Sequence, residues 1–257
     1  MLLLLKLLLV PGLVAAVTLA VRRWGPTVGG WLATLPVVAG PVLVFYAIEQ
    51  GDAFAAEAAR STLTGLIATA AFSVVYARCS IRLPWYVSVV IGWTVFGVAV
   101  FALFGLQPAL VPSLVSFVAA TVLGRRFLPR LSARTDVAVR PRGDLAIRLV
   151  ATATLVVVLT GLAEQLGATL SGLLNAFPVL TTIIAAFTHA QRGPAAVVAF
   201  LEGYLRGIVG FALFCVAMAL TLTPLGLVPA LTAALAVQLG AHGFLLWRRS
   251  RSAAIPG

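Results

Sequence analysis

Residues Gly25 to Val38 read GPTVGGWLATLPVV, and residues Gly167 to Leu180 read GATLSGLLNAFPVL. The second stretch starts 142 positions after the first, and the alignment runs without a gap from 25–77 onto 167–219 with 15 identities. In a chain rich in Ala, Val and Leu, chance agreement falls on those residues. Five of these matches fall on glycine or proline, at Gly25/Gly167, Gly30/Gly172, Pro36/Pro178, Gly51/Gly193 and Gly65/Gly207, where backbone behaviour cannot be substituted cheaply. The chain therefore carries a duplicated fold unit.

Composition says where that unit sits. The 257 residues are 61% hydrophobic and 10% charged with mean hydropathy +1.10, and apolar runs of bilayer-spanning length recur along the chain. The expected fold class is all-α, a polytopic transmembrane bundle of about nine helices. The net charge of +11 does not point to nucleic acid, because the basic residues stand between apolar spans and not among stacking aromatics. Cys79 and Cys215 lack any metal-ligand or disulfide spacing and read as small hydrophobes. No phosphate loop, HExxH or GxSxG is present, so no catalytic residue, cofactor or metal is expected.

Spans are expected at 2–21, 27–48, 54–77, 84–104, 107–124, 145–164, 168–189, 195–220 and 225–247. The first resembles a signal peptide but has no charged leader and has a counterpart in the second copy (Leu3/Leu145, Lys6/Arg148, Thr18/Thr160), so it is read as a retained helix. The connections alternate in charge, and 15 of the 18 cations fall on one side, leaving Lys6, Arg60 and Arg206. The positive-inside rule then gives a bacterial inner-membrane protein with its N-terminus outside and its C-terminus in the cytoplasm. Gly25 and Gly167 begin their helices on opposite sides in this scheme, so the repeat is inverted, the build of many secondary transporters. Duplication without alternating access stays open. The organisation is a first repeat at 1–124, an Arg-rich cytoplasmic linker at 125–144 and a second repeat with a basic tail at 145–257. Gly105–Leu110 also resembles Gly226–Leu231 at offset 121, which leaves the second copy without an equivalent of helix 84–104.

The second helix of each copy holds Pro36 or Pro178. A proline inside a membrane helix releases the carbonyl four residues earlier, here Leu32 and Leu174, to a neighbour, water or substrate. Thr34, Pro36, Asn175, Pro178, Thr181 and Thr182 are the candidate substrate-binding residues; packing kinks and interhelical glue are the alternative. The third helices carry Glu57 and Arg60, and Glu202 and Arg206, as coupling or structural ion pairs. Unpaired, each charge would cost about 2.5–3.5 kcal/mol at mid-bilayer. Glu202 and Arg206 share a face, and because offset 142 maps Arg60 onto Glu202, a central Arg60–Glu202 pair across the repeat is a second arrangement. Glu49, Gln50 and Asp52, with His189, Gln191 and Arg192, read as loop or gate residues. His242, alone in the last helix, reads as a packing or interface residue. Arg125–Arg148 is a possible contact for anionic lipid.

The Leu-Pro-Val or Phe-Pro-Val second helix and the third helix after it give each copy, at Trp31–Gly65 and Leu173–Gly207, a likeness. It resembles the small four-helix bacterial inner-membrane proteins of the GlpM/DUF3147 group, and the last helix resembles that group's Pro-Ala-Leu helix. One branch of the group is linked with exopolysaccharide production, so the resemblance implies an association with envelope biogenesis. The chain departs from it by tandem fusion and by the extra helix 84–104. The expected function is a small permease for a polar, anionic or lipid-linked solute, with its site between the two Pro-kinked helices. A non-transporting accessory or scaffold subunit of an envelope or exopolysaccharide biosynthesis complex is the alternative.

Overall fold

A computed structural model describes residues 23–36, 39–106, 109–131 and 167–253, with isolated positions 12, 15, 16, 19, 150 and 154. The expected helices 2–21 and 145–164, and most of the Arg-rich linker, lie outside the described residues. Eight helices follow: α1 Pro26–Leu32, α2 Ala39–Gln50, α3 Asp52–Cys79, α4 Trp85–Phe104, α5 Leu110–Arg126, α6 Gly167–Asn175, α7 Val179–Leu225 and α8 Leu227–Ala253. There is no strand among the described residues. Among the described residues, four stretches are long and apolar enough to cross a membrane: Asp52–Cys79, Trp85–Phe104, Gly167–Leu225 and Leu227–Leu245. The molecule is a helical membrane protein.

Two expected helices are interrupted. Span 27–48 divides into α1 and α2 around residues 33–38, and span 168–189 divides into α6 and the start of α7 around residues 176–178. The prolines do this, but not by leaving carbonyls open. Leu32 accepts the Leu35 N–H at 3.1 Å and Leu174 accepts the Phe177 N–H at 2.8 Å, so tighter local turns consume the carbonyls expected to be free.

The helix pairs that follow meet at one residue. α7 has 47 residues, about 70 Å if straight, more than twice the hydrocarbon thickness. It bends at Gly193 (φ 75°, ψ −175°), and Gly51 joins α2 to α3 in nearly the same conformation (φ 90°, ψ 164°), a region open essentially to glycine alone. This corrects the loop reading of Glu49–Asp52 and His189–Arg192: each connection is a single glycine. His189 is buried, with its ring 6.0 Å from that of Tyr76.

The core forms where the two copies meet. α3 contacts α2, α4, α5, α6 and α7, while α7 contacts α1, α3, α4, α5 and α8. α3 and the second half of α7 are equivalent at offset 142, and Leu63/Leu205 and Phe72/Phe214, identical in both, are all fully buried. The glycine contacts repeat with the copies exchanged. Gly30 presses on the Phe200 carbonyl and Gly172 on the Ala58 carbonyl; Gly65 lies against Leu173 and Ala176, and Gly207 against Trp31 and Thr34. Adding 142 to one partner and subtracting it from the other converts each contact into its mate. The look-alike at offset 121 is not matched in backbone, since Gly105 is right-handed helical (φ −74°) and Gly226 has φ 77°.

Candidate functional site

The two interruptions face one cavity. Thr34, Ala39, Asn175, Pro178, Thr181 and Tyr204 are among the residues that line a space of about 80 Å³ between them, room for two or three waters. Four of the six expected substrate-binding residues, Thr34, Asn175, Pro178 and Thr181, therefore stand at one site. Pro36 is not among the described lining residues; its ring packs beneath Gly40. Thr182 also stands back, accepting the indole N–H of Trp93 at 3.2 Å. No charged side chain is among the described lining residues, so the site offers hydroxyl, amide and backbone groups.

Asn175 joins the two halves. Its amide nitrogen lies 3.3 Å from Thr62 Oγ1 on α3 and 3.4 Å from the Ala39 carbonyl at the start of α2. Each interruption also exposes one carbonyl that a side chain from elsewhere answers: Ala176 O accepts from Thr69 at 2.6 Å, and Thr34 O accepts from Gln238 at 3.0 Å. Thr34 and Ala176 are equivalent at offset 142, but Thr69 comes from α3 and Gln238 from α8. Shape repeats between the copies where polarity does not.

His242, expected as a packing or interface residue, also has specific polar partners. It is buried on α8, with Nε2 3.1 Å from Thr34 Oγ1, Nδ1 2.9 Å from the Gln238 main-chain carbonyl and its ring 4.6 Å from that of Trp31. Gln238 was missed. The available signal was its spacing, one helical turn before His242 on the same face of an apolar helix. Thr62 and Thr69, seven residues apart on α3, carried the same kind of signal.

The ion pairs close within their own helices. Arg60 bonds Glu57 through Nε at 2.9 Å, and Arg206 bonds Glu202. The pairing of Glu202 with Arg206 is as expected; Arg60 and Glu202 form no ion pair with each other, which corrects the cross-repeat arrangement. Spacings of three and four residues already put the partners side by side on a helix surface, and Glu202 is 42% exposed, away from a shared centre. Exchanging charges within one helix, Glu57→Arg with Arg60→Glu, is therefore expected to keep the thermal stability that Glu57→Arg alone lowers. Exchanging Arg60→Glu with Glu202→Arg is expected to rescue nothing, since each helix then holds two like charges. Melting curves in detergent separate the two cases.

A larger groove of about 820 Å³ opens among α1, α5, α7 and α8, with Arg125 and Arg206 on its lining. Of the expected lipid-contacting stretch, Arg125, Arg126 and Arg130 are described. Arg78 fixes the end of α5 by donating to the Phe127 carbonyl at 2.9 Å. Comparison with protein-family models, curated proteins and solved structures returned no match.

Proposed function

We propose that the protein is a small secondary transporter of the bacterial inner membrane, moving a small polar or anionic solute through the site between its two interrupted helices. The observation that carries this reading is the coincidence of both proline interruptions with one cavity lined by Thr34, Asn175 and Thr181. Backbone without helical pairing is tolerated at membrane depth only where it is buried in protein or lines such a space, and interrupted helices facing each other at a repeat interface are where transporter sites are built. The 80 Å³ of free space favours a small solute over a lipid-linked one in this conformation.

Alternating access in this reading comes from an inverted repeat. The exchanged glycine contacts support a two-fold relation between the copies. Direction supports inversion: from Gly30 to Thr34 the partners rise from Phe200/Tyr204 to Gly207, and from Gly172 to Ala176 they rise from Ala58 to Gly65 and Thr69. α1 thus runs with the second half of α7, and α6 with α3. With α3 folded back on α2 at Gly51, α1 and α6 run in opposite senses. The arginine distribution supports an N-terminus outside.

A solute-uptake screen in proteoliposomes tests the reading, combined with cysteines placed at Thr34 and Asn175 in a background lacking Cys79 and Cys215. Substrate-dependent flux and modification of both cysteines by impermeant reagents are expected. If both stay unreactive from both sides and no solute enters, a central path is excluded and the accessory role takes its place.

A further inference from the structure

The cluster around His242 holds more than packing requires. Nδ1 faces the Gln238 carbonyl, which can only accept, so Nδ1 carries a hydrogen and the neutral ring leaves Nε2 bare. Nε2 faces the Thr34 hydroxyl at 3.1 Å, and that hydroxyl also reaches the Trp31 carbonyl at 2.6 Å. The hydroxyl owns one hydrogen. With a neutral ring it turns to Nε2, and the Trp31 carbonyl keeps only the Thr34 amide N–H at 3.2 Å. With a protonated ring, Nε2–H donates to Thr34 Oγ1 and the hydroxyl hydrogen rests on Trp31. Both distances lie within hydrogen-bond range, so the geometry accommodates either arrangement.

Two further features favour a positive charge there, and a third holds the ring in place. The Trp31 ring lies 4.6 Å from the imidazole centroid, within cation–π range. Gln238 must turn its nitrogen to the Thr34 carbonyl, and its buried Oε1 has no partner, leaving an acceptor unmet in the cluster. A Cβ added at Gly210 would overlap the ring, so α7 holds the imidazole tightly against α1. Among the described residues packed on the ring, Trp31 and Thr34 come from the first interrupted helix, Gly210 from α7 and Gln238 from α8, and none titrates. The charged groups preceding Gly210 on α7, Glu202 and Arg206, pair with each other. Arg125 of α5 shares with Trp31 the lining of the flank groove.

We propose that His242, with Thr34 as its switchable partner, is a proton-binding site, and that the proton is the ion coupled to solute movement. Binding stands on the geometry alone; coupling rests on the transporter reading. One proton added at Nε2 moves the hydroxyl hydrogen from His242 to the Trp31 carbonyl at the end of α1, so protonation is read directly by the first interruption, which lines the cavity through Thr34.

His189 and His242 are the 2 histidines of the chain, so ¹⁵N-histidine spectra of the full-length protein in micelles, assigned with His189→Gln and His242→Gln, follow each ring. His242 is expected to pass from the Nδ1–H tautomer to the imidazolium as the pH is lowered. Thr34→Val, which removes the acceptor, is expected to move the change to lower pH. A ring that stays in one state throughout, or an Nε2–H tautomer at the alkaline end, overturns the site. In proteoliposomes, solute entry is expected to acidify the lumen, and His242→Gln to reduce that acidification at least tenfold. Solute flux with no proton movement overturns the coupling and leaves the transporter reading standing. Titration of His242 without flux of any solute supports the site and removes the transporter reading.

Discussion

Gly30→Val and Gly172→Val are each expected to lower the stability of the folded protein by at least about 3 kcal/mol, at or beyond the upper end of ordinary overpacking costs. What meets the added Cβ decides this. At Gly30 it would overlap the Phe200 carbonyl oxygen and stand 2.8 Å from the Tyr204 nitrogen; at Gly172 it would overlap the Ala58 carbonyl oxygen and stand 2.9 Å from the Ala58 Cα. These are backbone atoms of helices that cannot rotate aside, so α1 must leave α7, or α6 must leave α3. In a membrane, where close backbone approach takes the place of hydrophobic association, such contacts hold the helices together. At Gly172 the separation also breaks the Thr62 Oγ1 bond to the Gly172 carbonyl, 3.0 Å long. Cys215, fully buried in α7, reports the unfolding: its reaction with a thiol dye during heating, in a Cys79→Ser background, gives the melting curve. Gly97→Ala on α4, where nothing lies within 4 Å, is the control and is expected to melt at or slightly above the parent temperature. Parent-like melting of either valine variant means that the exchanged contacts do not carry the fold.

These contacts also mark how far the sequence could be read. The repeated glycines and prolines named the interrupted helices and their neighbours, because each marks a backbone event that other residues cannot perform: Gly51 and Gly193 turn the chain, Gly30 and Gly172 admit another helix, and Pro36 and Pro178 lie at the breaks. Side-chain partners were less legible. The cross-repeat pair of Arg60 with Glu202 assumed closeness to an axis, whereas a neighbour on the same helix is always nearer. The carbonyls of Leu32 and Leu174 were expected to open, yet a helix that breaks completely can re-form its hydrogen bonds in a tighter turn. Gln238 and Thr69 answer Thr34 and Ala176 from different helices, so neither copy contained enough to find both. The repeat specifies a shape, and the chemistry inside it is asymmetric: Asn175 corresponds to Ala33, Thr181 to Ala39 and Tyr204 to Thr62.

That asymmetry defines the second test. Ala39 and Thr181 occupy equivalent positions at the starts of α2 and α7, both on the cavity lining and both buried. Phenylalanine at Ala39 adds six carbons to a space of about 80 Å³, enough for only two or three waters, and so fills it. Ala39→Phe and Thr181→Phe are each expected to reduce solute flux in proteoliposomes at least about tenfold, equivalent to about 1.4 kcal/mol or more on the barrier. Small substitutions should divide the two positions. Ala39→Ser keeps the cavity open and is expected to retain flux. Thr181→Ala removes a hydroxyl from the cavity lining and is expected to weaken apparent solute affinity. If the space were only a packing defect, filling it would raise the melting temperature and leave flux unaltered, because buried voids cost dispersion contacts and their closure restores them. The two outcomes have opposite signatures, with flux lost in one and stability gained in the other, so a single pair of variants decides whether the interrupted helices enclose a path or a flaw.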